Sequence, residues 1–107
     1  MSKKIISTLK APQAIGPYSQ AIMSENTLYC SGQIAINPEN GELVLENITK
    51  ETTQVMKNIS EVLKAVKMDF SNVVKCSIFM KDMEQYSKIN DVYDKYFTDN
   101  PPAREAV

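Results

Sequence analysis

Arg104 is the only arginine in a chain that carries eleven lysines. Lysine supplies nearly all the positive surface charge, so the lone guanidinium answers a need that an ammonium does not. Its planar, permanently charged fork grips a carboxylate or phosphate through two parallel hydrogen bonds. A plain salt bridge is the competing reading of the same residue. Tyr18 and Ser19 follow the Gly16-Pro17 turn signal, where an aromatic side chain either leans over a cleft or fills the core. Ser31-Gly32-Gln33 interrupts an apolar strand, and glycine there marks a bulge or a close backbone approach to another group. Asn90 lies on the apolar stripe of a helix between Ile89 and Tyr93, so its amide braces a backbone or faces a polar pocket. Ala106 shares the strand face of Arg104, while Ala103 and Glu105 point the other way. That alternation removes Glu105 from chemistry at Arg104 and makes it a solvated or subunit-contact residue.

Histidine is absent. Imidazole acid-base catalysis, histidine-activated nucleophiles and most zinc sites are thereby excluded. Cys30 and Cys76 stand far apart and outside any C-x-x-C pair, which reads as two buried, reduced thiols. No metal and no cofactor is expected. A net charge of −1 and a pI near 5.4 offer no basic field to a nucleic-acid backbone. The first residues, Met1 to Ser7, lack the apolar run of a signal peptide, and no stretch approaches a membrane span. These features predict a cytoplasmic protein with a small-molecule partner, binding neither nucleic acid nor membrane.

The elements that must hold these residues follow from periodicity. Tyr18–Met23 and Thr27–Ile36 read as strands joined at Glu25-Asn26, with Asn40-Gly41 as a hairpin signal and Glu42–Leu45 as a short return. Ile48, Thr52, Val55, Ile59, Val62 or Leu63, and Val66 form the stripe of an amphipathic helix capped by Asn47 or Thr49. Val74, Cys76, Ile78 and Met80 alternate with polar neighbours and Phe79 as a strand. Asp82 with Gln85 resembles a capping box for a second helix running from Met83 to Phe97, which Asn100-Pro101-Pro102 stops. Ala103 to Val107 begins a last strand. The order predicts one α+β domain over residues 1–107, with a mixed β-sheet and two helices packed on one face. The other face stays open, and self-association is the simplest way to cover it.

Gly16-Pro17-Tyr18-Ser19-Gln20-Ala21, Ser31-Gly32-Gln33-Ile34, Lys88-Ile89-Asn90-Asp91-Val92-Tyr93 and Pro102-Ala103-Arg104 together resemble the RidA/YjgF family of reactive intermediate imine deaminases. Their order and spacing match from near the N-terminus to the last residue. The resemblance implies a homotrimer of chorismate-mutase-like subunits with clefts at the interfaces. Each cleft would hydrolyse 2-imino acids, formed from enamines such as 2-aminoacrylate, to 2-keto acids and ammonia. Arg104 would hold the substrate carboxylate. Tyr18, Ser31 and Gly32 would line the pocket, Asn90 would support it, and Ala106 would offer backbone groups near the imine. Family members often have cysteine at the position of Ala106, so no thiol chemistry is expected there. They also continue through a further strand bearing a glutamate that orients water, which the residues up to Val107 do not include.

An imine is already electrophilic, so adding water needs positioning more than a strong base. A second reading is a non-catalytic trimer that binds 2-keto acids and regulates or partners a metabolic enzyme. A third, ribonuclease or translation inhibitor, is disfavoured by the missing histidine and the absence of a basic face.

Overall fold

The computed structural model describes residues 3–107; Met1 and Ser2, the start of the segment read as lacking a leader, lie outside them. Three antiparallel strands, β1 (Lys3–Ile6), β2 (Ala21–Ser24) and β3 (Thr27–Cys30), form one sheet in that order. Helix α1 (Ile48–Lys64) follows, then β4 (Lys75–Ile78), α2 (Tyr86–Tyr96) and β5 (Ala103–Ala106), with β4 and β5 paired in parallel. The α+β class is as expected, but the ladders make two sheets within the chain where a single mixed sheet was anticipated.

β1 escaped the sequence reading because Lys3-Lys4 precedes its two isoleucines and masks the alternation. Ile6 is buried, whereas Ile5 faces out. The two central strands are also shorter than expected. Tyr18 sits in a bend and Ser19 just after it, both before β2, and Ser31-Gly32 lies beyond the end of β3. The anticipated return strand survives as one bridge, Ile36 to Leu43, around Gly41 at φ 75°.

Asn47 caps α1: its side chain accepts from the Lys50 amide at 2.8 Å. The helix ends in a Schellman motif, with the Met68 amide donating to Leu63 O (2.9 Å) and the Lys67 amide to Lys64 O (3.0 Å). Lys67 takes the left-handed position at φ 61°, where glycine is favoured. The buried face of α1 is Thr52, Met56, Asn58, Val62 and Leu63. Met56 replaces the expected Val55, a one-residue rotation of the stripe that brings the polar Asn58 inside.

Asn58 is satisfied there. Its amide donates to Ile34 O (3.1 Å) and Ile36 O (2.9 Å) and accepts from Gln54 at 2.9 Å, tying the segment after β3 to the helix. Gln20 does the same for the N-terminal loop. It accepts from the Thr8 amide (2.6 Å) and donates to the carbonyls of Thr8, Ala11 and Pro12 at 2.7 to 3.3 Å.

Two apolar clusters result. Val62 of α1 packs with Ile6, Ala11 and Ala21 under the antiparallel sheet. Met56 packs with Ile89, Val92 and Tyr93 of α2, joined by Cys76, Ile78 and Met80 from the β4 side. Both helices thus cover inner sheet surfaces, with α1 spanning the two clusters. On β4 the inward alternation holds for Cys76 and Ile78 but not for Val74, which is 80% exposed. The chain changes phase after the 3₁₀ turn Phe70–Asn72, which Asp69 caps and which the sequence reading did not resolve. Asp82 accepts from the Glu84 amide instead of forming a capping box with Gln85, so a second 3₁₀ turn, Met83–Gln85, precedes α2.

Candidate functional site

β5 carries Arg104 and Ala106 half-buried on its inner face, with Ala103 and Glu105 on the outer one. Glu105 accepts from the Ser77 hydroxyl at 3.1 Å on that outer face, as the alternation requires. The Ala103 amide donates to Val74 O, just before β4, and the Val107 amide to Ile78 O at its end. In a parallel ladder the intervening residues then turn their amides and carbonyls away from β4, so the backbone groups of Arg104 and Ala106 have no partner among the described residues.

The guanidinium of Arg104 rests against α2. Its Nη2 donates to Asn90 Oδ1 at 2.6 Å and to the Tyr86 hydroxyl at 2.7 Å. Its central carbon lies 5.4 Å from the Tyr86 ring centroid and 5.2 Å from that of Tyr93, both within cation–π range. Asn90 and Tyr86 are four residues apart on one helix face, which lets both reach the same nitrogen. Cys76, the register partner of Arg104 on β4, completes the surroundings.

None of these neighbours is an anion. Burial pushes the Cys76 thiol upward, against smaller pulls from the Arg104 charge and the Tyr93 hydroxyl. Burial, then the nearby thiol, pushes the Tyr93 phenol up to about 12. Both groups are therefore neutral at pH 7. Among the described residues the ion pairs are Lys50–Glu46 and Lys64–Glu61, and neither involves Arg104. The charge of this half-buried guanidinium, oriented by neutral groups, thus has no anionic partner among the described residues.

The structure joins Arg104 to Asn90 by a hydrogen bond and keeps Ala106 on the strand face of Arg104. It leaves Tyr18, Ser31 and Gly32 in the segments just before β2 and just after β3, with no hydrogen bond to the Arg104 group among the described residues. Tyr18 is 53% exposed, its amide donating to Gly16 O at 2.8 Å. Ser31 is anchored by its amide to Gln20 O (3.0 Å) and by its hydroxyl to Ser19 O (2.6 Å). A Cβ on Gly32 would meet no atom within 4 Å, so no described group makes the close approach that the glycine suggested.

The sequence reading missed Tyr86, Tyr93 and Cys76 as neighbours of the arginine. The two tyrosines passed as helix packing, though their spacing from Asn90 by four and three residues placed all three on one face. Cys30, expected to be buried, is exposed. The described residues include no cluster of three or more His, Cys, Asp or Glu. No described helix is long and apolar enough to cross a membrane. Recesses of about 310 and 230 Å³ lie along the outer side of α1, and none of Tyr18, Ser31, Gly32, Asn90, Arg104 or Ala106 lines them.

A family model described as endoribonuclease L-PSP matches residues 8–107. The chain belongs to this family, also called RidA/YjgF. Within it, the chain is 49% identical over 104 residues to the bovine 2-iminobutanoate/2-iminopropanoate deaminase, covering 97% of the chain and 76% of that relative. A solved Yersinia pestis protein of the Rid family, YyfA, superposes with a TM-score of 0.97 at 47% identity, covering 99% of this chain and 85% of that one. Escherichia coli TdcF with bound serine superposes with a TM-score of 0.92 at 30% identity, covering 97% and 84%. These two solved structures share the fold of this chain over nearly its whole length.

Proposed function

We propose that the protein hydrolyses reactive 2-imino acids to 2-keto acids and ammonia. The observation that carries this reading is Arg104: a guanidinium oriented by Asn90 and two tyrosines, with no anionic partner among the described residues. The bovine deaminase supplies the substrate class, and the serine bound to TdcF is an acid of similar size.

Arg104 would hold the carboxylate and so place the adjacent C=N carbon beside the free backbone groups of Ala106. Those groups would orient water and polarise the imine. Water adds across the C=N bond, its oxygen to carbon and one proton to nitrogen; the carbinolamine hydroxyl then gives its proton up to the nitrogen, and ammonia leaves as the C=O bond forms. Tyr18, Ser31 and Gly32 would close the cleft from a neighbouring subunit of a chorismate-mutase-like homotrimer. The exposed apolar row Ile5 and Tyr29, paired through Ile22, supports an assembly that covers the open sheet face, as do Val74 and Phe79. The exposed and half-buried free thiols fit a reducing, cytoplasmic setting.

Replacing Arg104 with alanine is expected to abolish ammonia release from enzymatically generated 2-iminobutyrate. Normal turnover by that variant overturns the role. A second reading, a 2-keto acid-binding trimer without turnover, draws on the placement of Glu105 on the opposite strand face, away from Arg104. Ligand binding by the wild type with no ammonia release would select it. The nuclease in the family's description finds little support in a histidine-free chain of net charge −1.

A further inference from the structure

We infer that the Tyr86 hydroxyl is a second donor to the bound carboxylate, beside Arg104; this rests on the reading of Arg104 as the acid clamp. The Tyr86 oxygen accepts from Arg104 Nη2 at 2.7 Å. A phenol carries one proton of its own, and that proton has no acceptor among the described residues. Accepting from a cation polarises the O–H and makes it a stronger donor than an isolated phenol.

The second half of the argument is the occupancy of Nη2. Its two hydrogens are committed, one to Tyr86 and one to Asn90 Oδ1 at 2.6 Å. A guanidinium has two open fork edges, Nη1 with Nη2 and Nε with Nη2, and Nη2 is a leg of both. A carboxylate therefore finds one free N–H on either edge, not two. Its other oxygen needs a donor at the same place. The Tyr86 O–H is bound to this guanidinium, and its ring is held 5.4 Å from the guanidinium carbon. The clamp is thus mixed: one oxygen on Nη1 or Nε, the other on the phenol. Asn90, whose carbonyl oxygen accepts from Arg104, is the residue that keeps the arginine from closing a symmetric fork.

Tyr86→Phe keeps the ring and removes only the hydroxyl, and it is compared with Arg104→Ala. The probe is 2-oxobutyrate, a stable 2-keto acid, followed through the single arginine Nε–H signal or by calorimetry. Tyr86→Phe is expected to bind it about tenfold more weakly, the value of one hydrogen bond to a charged group. The variant should lose kcat/KM on 2-iminobutyrate by a similar factor, carried in KM. The uncharged 2-oxobutyramide, which lacks the carboxylate, should lose little. Wild-type affinity in Tyr86→Phe together with lost binding in Arg104→Ala overturns the mixed clamp and leaves the function standing. An equal loss for the acid and the amide also overturns it, because the hydroxyl then shapes the pocket generally. Unchanged binding in both variants overturns the clamp and the reading beneath it.

Discussion

Arg104 is chemically interesting because of what it lacks. A half-buried guanidinium usually keeps a carboxylate; this one has aromatic faces, an amide and a phenol. Arg104→Lys retains the charge but not the planar donors or the stacking, so kcat/KM on 2-iminobutyrate is expected to fall at least about tenfold. Tyr93 beneath it predicts a pH dependence. Its folded phenol titrates at about 12, above an ordinary value of 10.0. The raised value means that its stabilising contribution is complete below pH 10.0 and is lost as pH rises towards about 12. Urea unfolding across that window should show a fall in stability that Tyr93→Phe lessens. The sequence revealed the arginine through its solitude, and Asn90 through a polar residue on an apolar stripe. It hid Tyr86 and Tyr93 because a tyrosine at a stripe position has the same pattern whether its hydroxyl meets a partner or not.

At the level of elements, the periodic signals were legible and the irregular ones were not. Both helices and strands β4 and β5 follow from their spacing. β1, the 3₁₀ turns and the phase change at Val73-Val74 do not, because capping and tertiary hydrogen bonds decide them. Asn58 illustrates the point: a polar residue inside α1 is tolerated because it serves two carbonyls of another segment. Asn58→Ala strands those carbonyls and is expected to cost about 2–3 kcal/mol in chemical denaturation. Lys67 gives the opposite case. Lys67→Gly relieves a left-handed lysine at the end of α1 and is expected to stabilise by about 0.5–1 kcal/mol in the same assay.

For the whole molecule, the fold class was legible, while the division into two sheets was not, since strand order leaves open which ladders join. Tyr18, Ser31 and Gly32 meet no Arg104 neighbour by hydrogen bonding within one chain, so activity should depend on assembly. Phe79 is 79% exposed on the outer face of β4. Phe79→Asp is expected to shift the protein towards monomer in sedimentation and to lower turnover in proportion. A monomer with full activity would contradict the intersubunit cleft.

The two sheets share no described ladder, and α1 contributes Val62 to one cluster and Met56 to the other. One rod of backbone therefore decides whether the halves melt as a single cooperative unit or as two. Amide exchange in β2 and β4 should keep pace while the rod is intact and diverge once its middle is weakened.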